Sequence, residues 1–388
     1  MIGKMIETDA WVLEAGPVKA STPGELVRRT FRFDAPTEDE VLAEPLYGCW
    51  EGNMTHALER QPVDICRMRR EDAIVLGNSG VLRVTKVGSR VKGVVAGDLC
   101  GLMPAGKLDA YGYFDKILGY DAPGTIGLLA KQVKLPGISV VPLPKNSNVS
   151  LKQWACASIR YGTAWSNWKA AFGCWKVMAP PGTDKVYVLA WGGGTAFAEL
   201  MLAKSQGCWA GMVCSSDARA AYLRTHGIHP IDRREFAALS WNAEKIESDS
   251  AYRLAYRKAE VAFIRRVREL TNGAGASIFI DNIGEPVSRA TMLALGRPGV
   301  LTTVGWIGGT NVEYSRPAEC FGRHVHVHTH ATRMDEALES IEAFAAGWAP
   351  PFTGDEPVCA FDDIPDLAKA ALDGTESSYF PLYQVNAV

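Results

Sequence analysis

Residues 186–196 read Val-Tyr-Val-Leu-Ala-Trp-Gly-Gly-Gly-Thr-Ala, an apolar run that breaks on three consecutive glycines. The stretch that follows, 195–206, is apolar at helical spacing and closes on Gly207. Together they predict a strand that turns directly into a helix. Glycines let the backbone approach a ligand, and the start of a helix offers unpaired N–H groups and the positive end of its dipole. Both properties suit the pyrophosphate of a dinucleotide. The pattern Ala190-x-x-Gly193-Gly194-x-Ala196, with Thr195 inside it, is degenerate, carrying alanine at two places where glycine is commoner. A glycine-rich turn with no ligand is the competing reading. The position of a second strand about twenty residues later favours the nucleotide.

That second strand, 211–214, belongs to an alternation that runs through the middle of the chain. Strands are predicted at 185–190, 211–214, 276–281 and 299–304, with helices at 217–225 (ending on Gly227) and 285–295. Strand–helix alternation at this spacing implies parallel β-α-β units and a doubly wound sheet of Rossmann type. Residues 232–271 interrupt it as a charged helical insertion. Residues 1–150 have another texture: short β-type runs at 9–13, 40–46, 80–87, 94–100 and 138–143, punctuated by Gly and Pro. The last segment predicts a helix over 334–346 and then an irregular, strand-like tail. The expected organisation is a β-rich domain from 1–159 and 332–388, with the nucleotide domain inserted at 160–331.

The second strand ends in Cys214-Ser215-Ser216-Asp217-Ala218-Arg219. A site for NAD usually places a carboxylate there to bind the ribose 2′-hydroxyl. Here Ser215 and Ser216 come first and Arg219 follows, a set that suits a 2′-phosphate and predicts NADPH. Asp217 argues the other way, and a solvent-facing Arg219 is the bland alternative.

Composition excludes more than it identifies. The 388 residues carry 41 basic and 43 acidic side chains, a formal charge of −2, with no basic stripe to meet nucleic acid or a membrane surface. No apolar run approaches the ~18 residues a spanning helix needs. Residues 1–20 carry Glu7, Asp9 and Glu14 and no apolar signal core, so a cytoplasmic location is expected. The nine cysteines form no C-x-x-C pair and read as reduced thiols rather than a disulfide framework.

Several stretches resemble the medium-chain dehydrogenase/reductases: Asp39-Glu40-Val41-Leu42, Gly77-Asn78-Ser79-Gly80, Val87-Gly88-Ser89-Arg90-Val91-Lys92, Ala96-Gly97-Asp98 and the glycine turn. Within that family Ile231-Asp232-Arg233-Arg234, the charged insertion and the segment from Arg266 to Gly273 resemble the crotonyl-CoA carboxylase/reductases and related enoyl-thioester reductases. The resemblance implies a GroES-like β-rich catalytic domain beside the NADP-binding Rossmann domain, a homodimer or homotetramer, and a thioester substrate on coenzyme A or a carrier protein. Thr163, Gly305 and Trp306 complete the expected cofactor contacts. Zinc-using members carry Gly-His-Glu where this chain has Gly77-Asn78-Ser79, and their catalytic cysteine position matches Glu51. Between 98 and 137 only Cys100 remains of a structural zinc lobe. Zinc needs about three protein ligands, so neither site is expected to hold it.

Without a Lewis acid on a carbonyl, reduction of an activated C=C bond fits better than alcohol oxidation, because a thioester can delocalise the incoming charge as an enolate. In the carboxylase/reductases an Asn, a Phe–Glu pair and a His organise carbon dioxide. These positions match Asn53, Tyr120-Asp121 and, within one or two residues, His328. Glu to Asp removes a methylene, which puts carboxylation in question. Asn53 after Gly52, and Asp121 before Ala122-Pro123-Gly124, also suit plain turns. His56 is expected at the surface or on a ribose. The run His324-Val-His-Val-His-Thr-His330 puts four histidines on one face of a strand, as a polar pocket wall with one in catalysis or, alternatively, a metal chelate. The insertion's Arg253, Arg257, Lys258, Arg265, Arg266 and Arg268 are either a phosphate-arm contact or a solvated helix. The leading function is NADPH-dependent reduction of an α,β-unsaturated acyl thioester, with reductive carboxylation open. The alternatives are a zinc-free aldehyde, quinone or imine reductase of the same fold, and a catalytically silent NADPH-binding protein.

Overall fold

A computed structural model describes residues 5–17, 22–61, 63–305, 307–309, 322–347 and 356–388. The chain divides into two compact units, Met1–Gly162 with Thr332–Val388, and Thr163–Ala331. The fold is mixed α/β, with a β-rich unit and a parallel-sheet unit. No helix among the described residues is long and apolar enough to cross a membrane.

In the first unit β1 (Met5–Glu14) pairs antiparallel with β2 (Leu26–Asp34). The larger sheet is built on β3 (Glu40–Cys49), which pairs with β4 (Gly80–Val87), and β4 pairs in turn with β5 (Leu99–Leu102). The strand Leu382–Gln384 returns from the chain's end to pair with β3, placing Tyr383 opposite Gly48. After β3 comes the helix α1 (Gly52–Glu59). The expected strand at 94–100 starts later, at Leu99, because Asp98 accepts the Val95 N–H at 2.8 Å and Gly97 takes a φ of +95°, closing a turn. The tail is more regular than expected: Ile364–Leu372 is a helix with Pro at its first turn and Ile364, Leu367 and Ala368 buried at helical spacing.

The second unit holds α2 (Gly162–Met178), β6 (Tyr187–Trp191), α3 (Gly194–Ser205), β7 (Trp209–Cys214), α4 (Asp217–Thr225), β8 (His229–Asp232), α5 (Ser250–Leu270), β9 (Ala276–Asp281), α6 (Glu285–Ala294), β10 (Leu295–Thr303) and β11 (Val325–Thr329). The six strands are parallel in the order β8-β7-β6-β9-β10-β11. The order reverses between β6 and β9, and in such sheets a crevice opens there beyond the strands' carboxyl ends. β8 was not anticipated; its four residues include Pro230, which only an edge strand tolerates. The charged insertion forms α5 and shorter helical turns before it. Asp249 caps α5 by accepting the Ala251 and Tyr252 N–H groups, and Tyr256, Ala259, Phe263 and Val267 bury one stripe. Phe263 packs on Trp191 with ring centroids 4.9 Å apart, anchoring α5 against the sheet.

Candidate functional site

At the end of β6 the three glycines take separate tasks. Gly192 adopts a φ of +132°, and a Cβ there would stand 3.1 Å from Asn282 Cβ and 3.5 Å from Ala196 Cβ. It is the residue that must be glycine, and the sequence reading, weighing Gly193 and Gly194, passed over it. A run of three leaves the register ambiguous. Gly193 is the N-cap of α3 and no side chain caps that helix, while a Cβ on Gly193 would meet nothing within 4 Å. The N–H groups of Gly194, Thr195 and Ala196 therefore start α3 without intrahelical acceptors. Ala190 and Ala196 are fully buried, so they pack beneath the turn.

Two cavities in this unit lie toward opposite edges of the sheet. One, of about 760 Å³, is lined by Ser216, Asp217, Arg224, Asp232, Arg234 and Arg266 among others. Ser216 caps α4, accepting the Arg219 N–H at 3.2 Å; Ser215 is exposed and Arg219 half-buried. Asp217, which argued against a 2′-phosphate, receives Arg234 at 2.5 Å, and Arg234 also grips Asp232 at 2.7 Å. Arg234, shared between the two carboxylates, thus offsets part of the opposing charge from 17 residues away.

The other cavity, about 160 Å³, lies at the carboxyl ends of β9, β10 and β11 and is lined by Asp281, Ser288, Thr303, Gly305 and His330 among others. Asp281 is 2% exposed and accepts the Ile283 and Gly284 N–H groups at 3.0 Å and the Thr291 hydroxyl at 3.1 Å. Burial, only partly offset by those donors, raises its pKa to about 6. Thr163 opens α2, and its carbonyl accepts the Ser166 hydroxyl at 3.3 Å. Trp306 lies outside the described residues.

The histidine strand differs in detail from its expectation. His324 has a φ of +56° and precedes β11, so three histidines rather than four keep the alternation. Val325 and Val327 pack into the unit's core on the opposite face. The histidines face α2: His326 meets Cys174 at 3.4 Å and His330 meets Ser166 at 2.7 Å. Eight helical residues rise ~12 Å and four strand residues ~13 Å, so an adjacent helix matches both contacts. His328 Nε2 meets His330 Nδ1 at 3.1 Å. The imidazole lining the cavity is that of His330, two residues beyond the expected His328. Burial and the neighbouring His328 lower the pKa of His330 to about 4, and burial also lowers that of His328.

In the first unit a buried polar cluster surrounds Glu51. Its carboxylate accepts from Arg160 at 2.9 Å, and Arg160 also donates to the Trp50 carbonyl at 2.6 Å and to the Tyr379 carbonyl. Glu51 and Arg160 are 4% and 8% exposed. Burial pushes the Glu51 carboxyl up, and Arg160 pulls it back. Arg160 sits in a π-helical turn, Ala157–Tyr161, a distortion common at functional positions. Nearby in the chain fold, Ser158 donates to Ser79 at 3.0 Å, and Ser79 to the Ala155 carbonyl at 2.9 Å. Several buried polar atoms in this unit have no partner: Glu51 Oε1, Asn53 Oδ1, both amide atoms of Asn78 and the Tyr383 hydroxyl. Buried polar groups are ordinarily satisfied, so each orphan calls for a water or ligand. Tyr383 fits because Gly48 lacks a side chain; a Cβ there would stand 2.2 Å from its Cζ. Among the described residues no group of three or more His, Cys, Asp or Glu side chains is placed to hold a metal.

Asn53 opens α1, whereas Asp121 holds a turn, accepting the Ile117 N–H at 2.6 Å and Lys116 at 3.4 Å. The Tyr120 phenol is raised to about 12 by burial and the adjacent Asp121. His56 bonds Glu59 at 3.2 Å. In the insertion, Arg268 donates to the Gly273 carbonyl and Arg253 to the Ile246 carbonyl, while Arg265 and Arg266 lie within 4 Å of Glu269. Most of these cations support the fold locally.

No protein-family model matches the chain. No curated protein matches it either. Solved structures do. Crotonyl-CoA carboxylase/reductase AntE in complex with NADP aligns with a TM-score of 0.78 at 19% identity, over 98% of this chain and 95% of that one. The 2-octenoyl-CoA carboxylase reductase CinF with NADP and 2-octenoyl-CoA gives 0.77 at 16% identity, over 97% and 87%. A putative alcohol dehydrogenase from Sinorhizobium meliloti 1021 gives 0.71 at 19% identity, over 99% and 100%. The chain therefore has the fold of the medium-chain dehydrogenase/reductases.

Proposed function

We propose that the chain is an NADPH-dependent oxidoreductase that reduces an α,β-unsaturated acyl thioester, on coenzyme A or a carrier protein, without a catalytic zinc. The observation that carries the substrate class is the Glu51–Arg160 ion pair: the carboxylate at the position of a zinc ligand already faces a guanidinium. With Asn78 and Ser79 as its companions, that donor set is poor for a divalent ion. A substrate that spreads charge into its own thioester then fits better than a bare carbonyl.

The residues present suit the dinucleotide. The N–H groups of Gly194, Thr195 and Ala196 would hold the pyrophosphate. Ser215, Ser216 and Arg219 would meet the 2′-phosphate, with the Asp217 charge partly offset by Arg234. Thr163, Gly305 and the smaller cavity would take the nicotinamide end. When bound, the cofactor supplies a hydride to the β-carbon. Asn53, through its amide N–H, would donate to the thioester oxygen as negative charge grows there. Two of the similar structures bear names of enoyl-CoA carboxylase/reductases bound to NADP, which supports the same cofactor and acyl class. Asp121, short and engaged in its turn, gives carbon dioxide incorporation no support.

Following NADPH absorbance with crotonyl-CoA and longer enoyl-CoAs tests this reading. Expected is oxidation at the same rate with and without bicarbonate. Turnover only with aldehydes, quinones or imines would replace it with the second reductase reading. Tight NADPH binding with no acceptor at all would leave a silent binding protein.

A further inference from the structure

We propose that Ser166, His330 and His328 form a proton relay running from the outer face of β11 to the 160 Å³ cavity, and that it delivers the proton completing the reduction. The proposal rests on the reductase reading above. Three observations carry it. The hydrogen bonds are continuous: Ser166 Oγ to His330 Nε2 at 2.7 Å, and His330 Nδ1 to His328 Nε2 at 3.1 Å. Exposure falls along the strand, from exposed His326 to half-buried His328 and His330. His330, at the inner end, lines the cavity.

Among the described residues the Ser166 hydroxyl faces two acceptors, the Thr163 carbonyl at 3.3 Å and His330 Nε2 at 2.7 Å. This gives the ladder two self-consistent arrangements. In one, Ser166 donates to Thr163, His330 Nε2–H donates to Ser166, and His328 Nε2–H donates to His330 Nδ1. In the other, Ser166 donates to His330 Nε2, and His330 Nδ1–H donates to His328 Nε2. Passing from the first to the second releases the His330 Nε2 proton toward the cavity, turns the Ser166 O–H from the Thr163 carbonyl to His330 Nε2, moves one proton from His328 Nε2 to His330 Nδ1, and takes one from solvent at His328 Nδ1. Each group ends with the proton count it began with. The hydride adds to the β-carbon, the released proton to the α-carbon, and the acyl thioester leaves saturated. Neutral imidazoles are required for both arrangements, and burial keeps these two neutral.

Two measurements on the full chain test the relay. In the first, NADPH oxidation by crotonyl-CoA is followed for His328→Gln, with His326→Gln as the control outside the ladder. Loss of about 10²-fold in kcat is expected for His328→Gln, a size typical of proton-transfer groups. The solvent isotope effect should grow, the effect of deuterated NADPH should shrink, and added imidazole should restore rate. Unchanged kcat and solvent isotope effect in His328→Gln would overturn the relay. In the second, long-range nitrogen NMR of heavy-nitrogen-labelled histidines reports tautomers without turnover. His330 should exchange between both neutral tautomers in the wild type and be held in one by His328→Gln. A single tautomer in both proteins overturns the relay whatever the substrate. An exchanging ladder in a protein that oxidises NADPH with no enoyl thioester would sink the reductase reading alone.

Discussion

Replacing Arg160 by Met should destabilise the first unit by an amount that depends on pH in a defined way. Arg160 satisfies Glu51 and the carbonyls of Trp50 and Tyr379, all away from solvent. Losing a donor to each carbonyl costs roughly 1.5 kcal/mol apiece, the low end for charged hydrogen bonds. Glu51 would be left buried without its partner, and it can escape by taking a proton. At pH 7 that escape costs about 1.36 kcal/mol for each unit between pH 7 and the ordinary carboxyl value of 4.5, an upper bound of roughly 3.4 kcal/mol, because burial already raises the Glu51 carboxyl in the wild type. The total at pH 7 is therefore between about 3 kcal/mol, the carbonyl part alone, and about 6 kcal/mol, in line with broken buried pairs once the carbonyls are added. The sign follows from linkage: in the variant Glu51 keeps a raised pKa in the folded state, so stability is retained below pH 4.5 and lost as pH rises. By pH 5 the charge part should shrink below 1 kcal/mol. The double variant Glu51→Gln/Arg160→Met should lose the pH-dependent part and keep the carbonyl part. Urea unfolding read by hydrogen exchange of β3 peptides, at pH 5 and pH 7, makes the comparison. A gap between Arg160→Met and wild type that is the same at both pH values, or smaller than 1 kcal/mol at pH 7, would refute the reasoning.

Two further predictions concern the second unit. Gly192→Ala should weaken NADPH binding at least tenfold by calorimetry while the corresponding change at Gly193 perturbs the fold less, since only Gly192 combines a φ of +132° with a neighbour 3.1 Å from the added Cβ; equal affinity in Gly192→Ala would contradict the assignment of the turn. Asp281 has a folded pKa of about 6 against the ordinary aspartate value of 3.8, so its contribution is present below 3.8 and lost as pH rises through 6. The difference of about 2.2 units corresponds to roughly 3 kcal/mol. Asp281→Asn, whose amide oxygen can still accept the Ile283 and Gly284 N–H groups, should therefore gain about that much relative to wild type between pH 4 and pH 7 in thermal unfolding; a constant difference across that range would show that Asp281 is not buried as a neutral acid.

Local chemistry was the legible part of this chain. The helix 217–225 and the strand 276–281 emerged with the bounds the sequence suggested, because capping serine, helix spacing and β-branched runs all act within a few residues. What escaped were pairings at distance. Glu51 and Arg160 are 109 residues apart, and nothing near either one announces the other. Asp217 looked hostile to a phosphate until Arg234 arrived from the far end of β8. The tail helix Ile364–Leu372 was masked by its proline, which reads as a breaker although it sits in the first turn where proline is favoured. His324 was counted with its strand, but its left-handed φ removes it from the alternation.

The division of charge between the two units follows from which side chains can change protonation. A guanidinium stays protonated at any working pH and offers fixed donors, so Arg160 can hold Glu51 and two carbonyls but cannot give or take a proton. A metal-bound water would do both tasks at once, anchoring charge and titrating near neutrality. On the zinc-free reading proposed above, Arg160 takes over the anchoring of charge, and proton traffic falls to other groups. The only described histidines that hydrogen-bond to each other are His328 and His330, in the other unit. Replacing the permanent cation should therefore alter folding and binding while leaving the solvent isotope effect alone, and replacing the imidazoles should do the reverse. If Arg160→Lys, which keeps the charge with fewer donors, changed the solvent isotope effect as His328→Gln does, the two roles would not be separate.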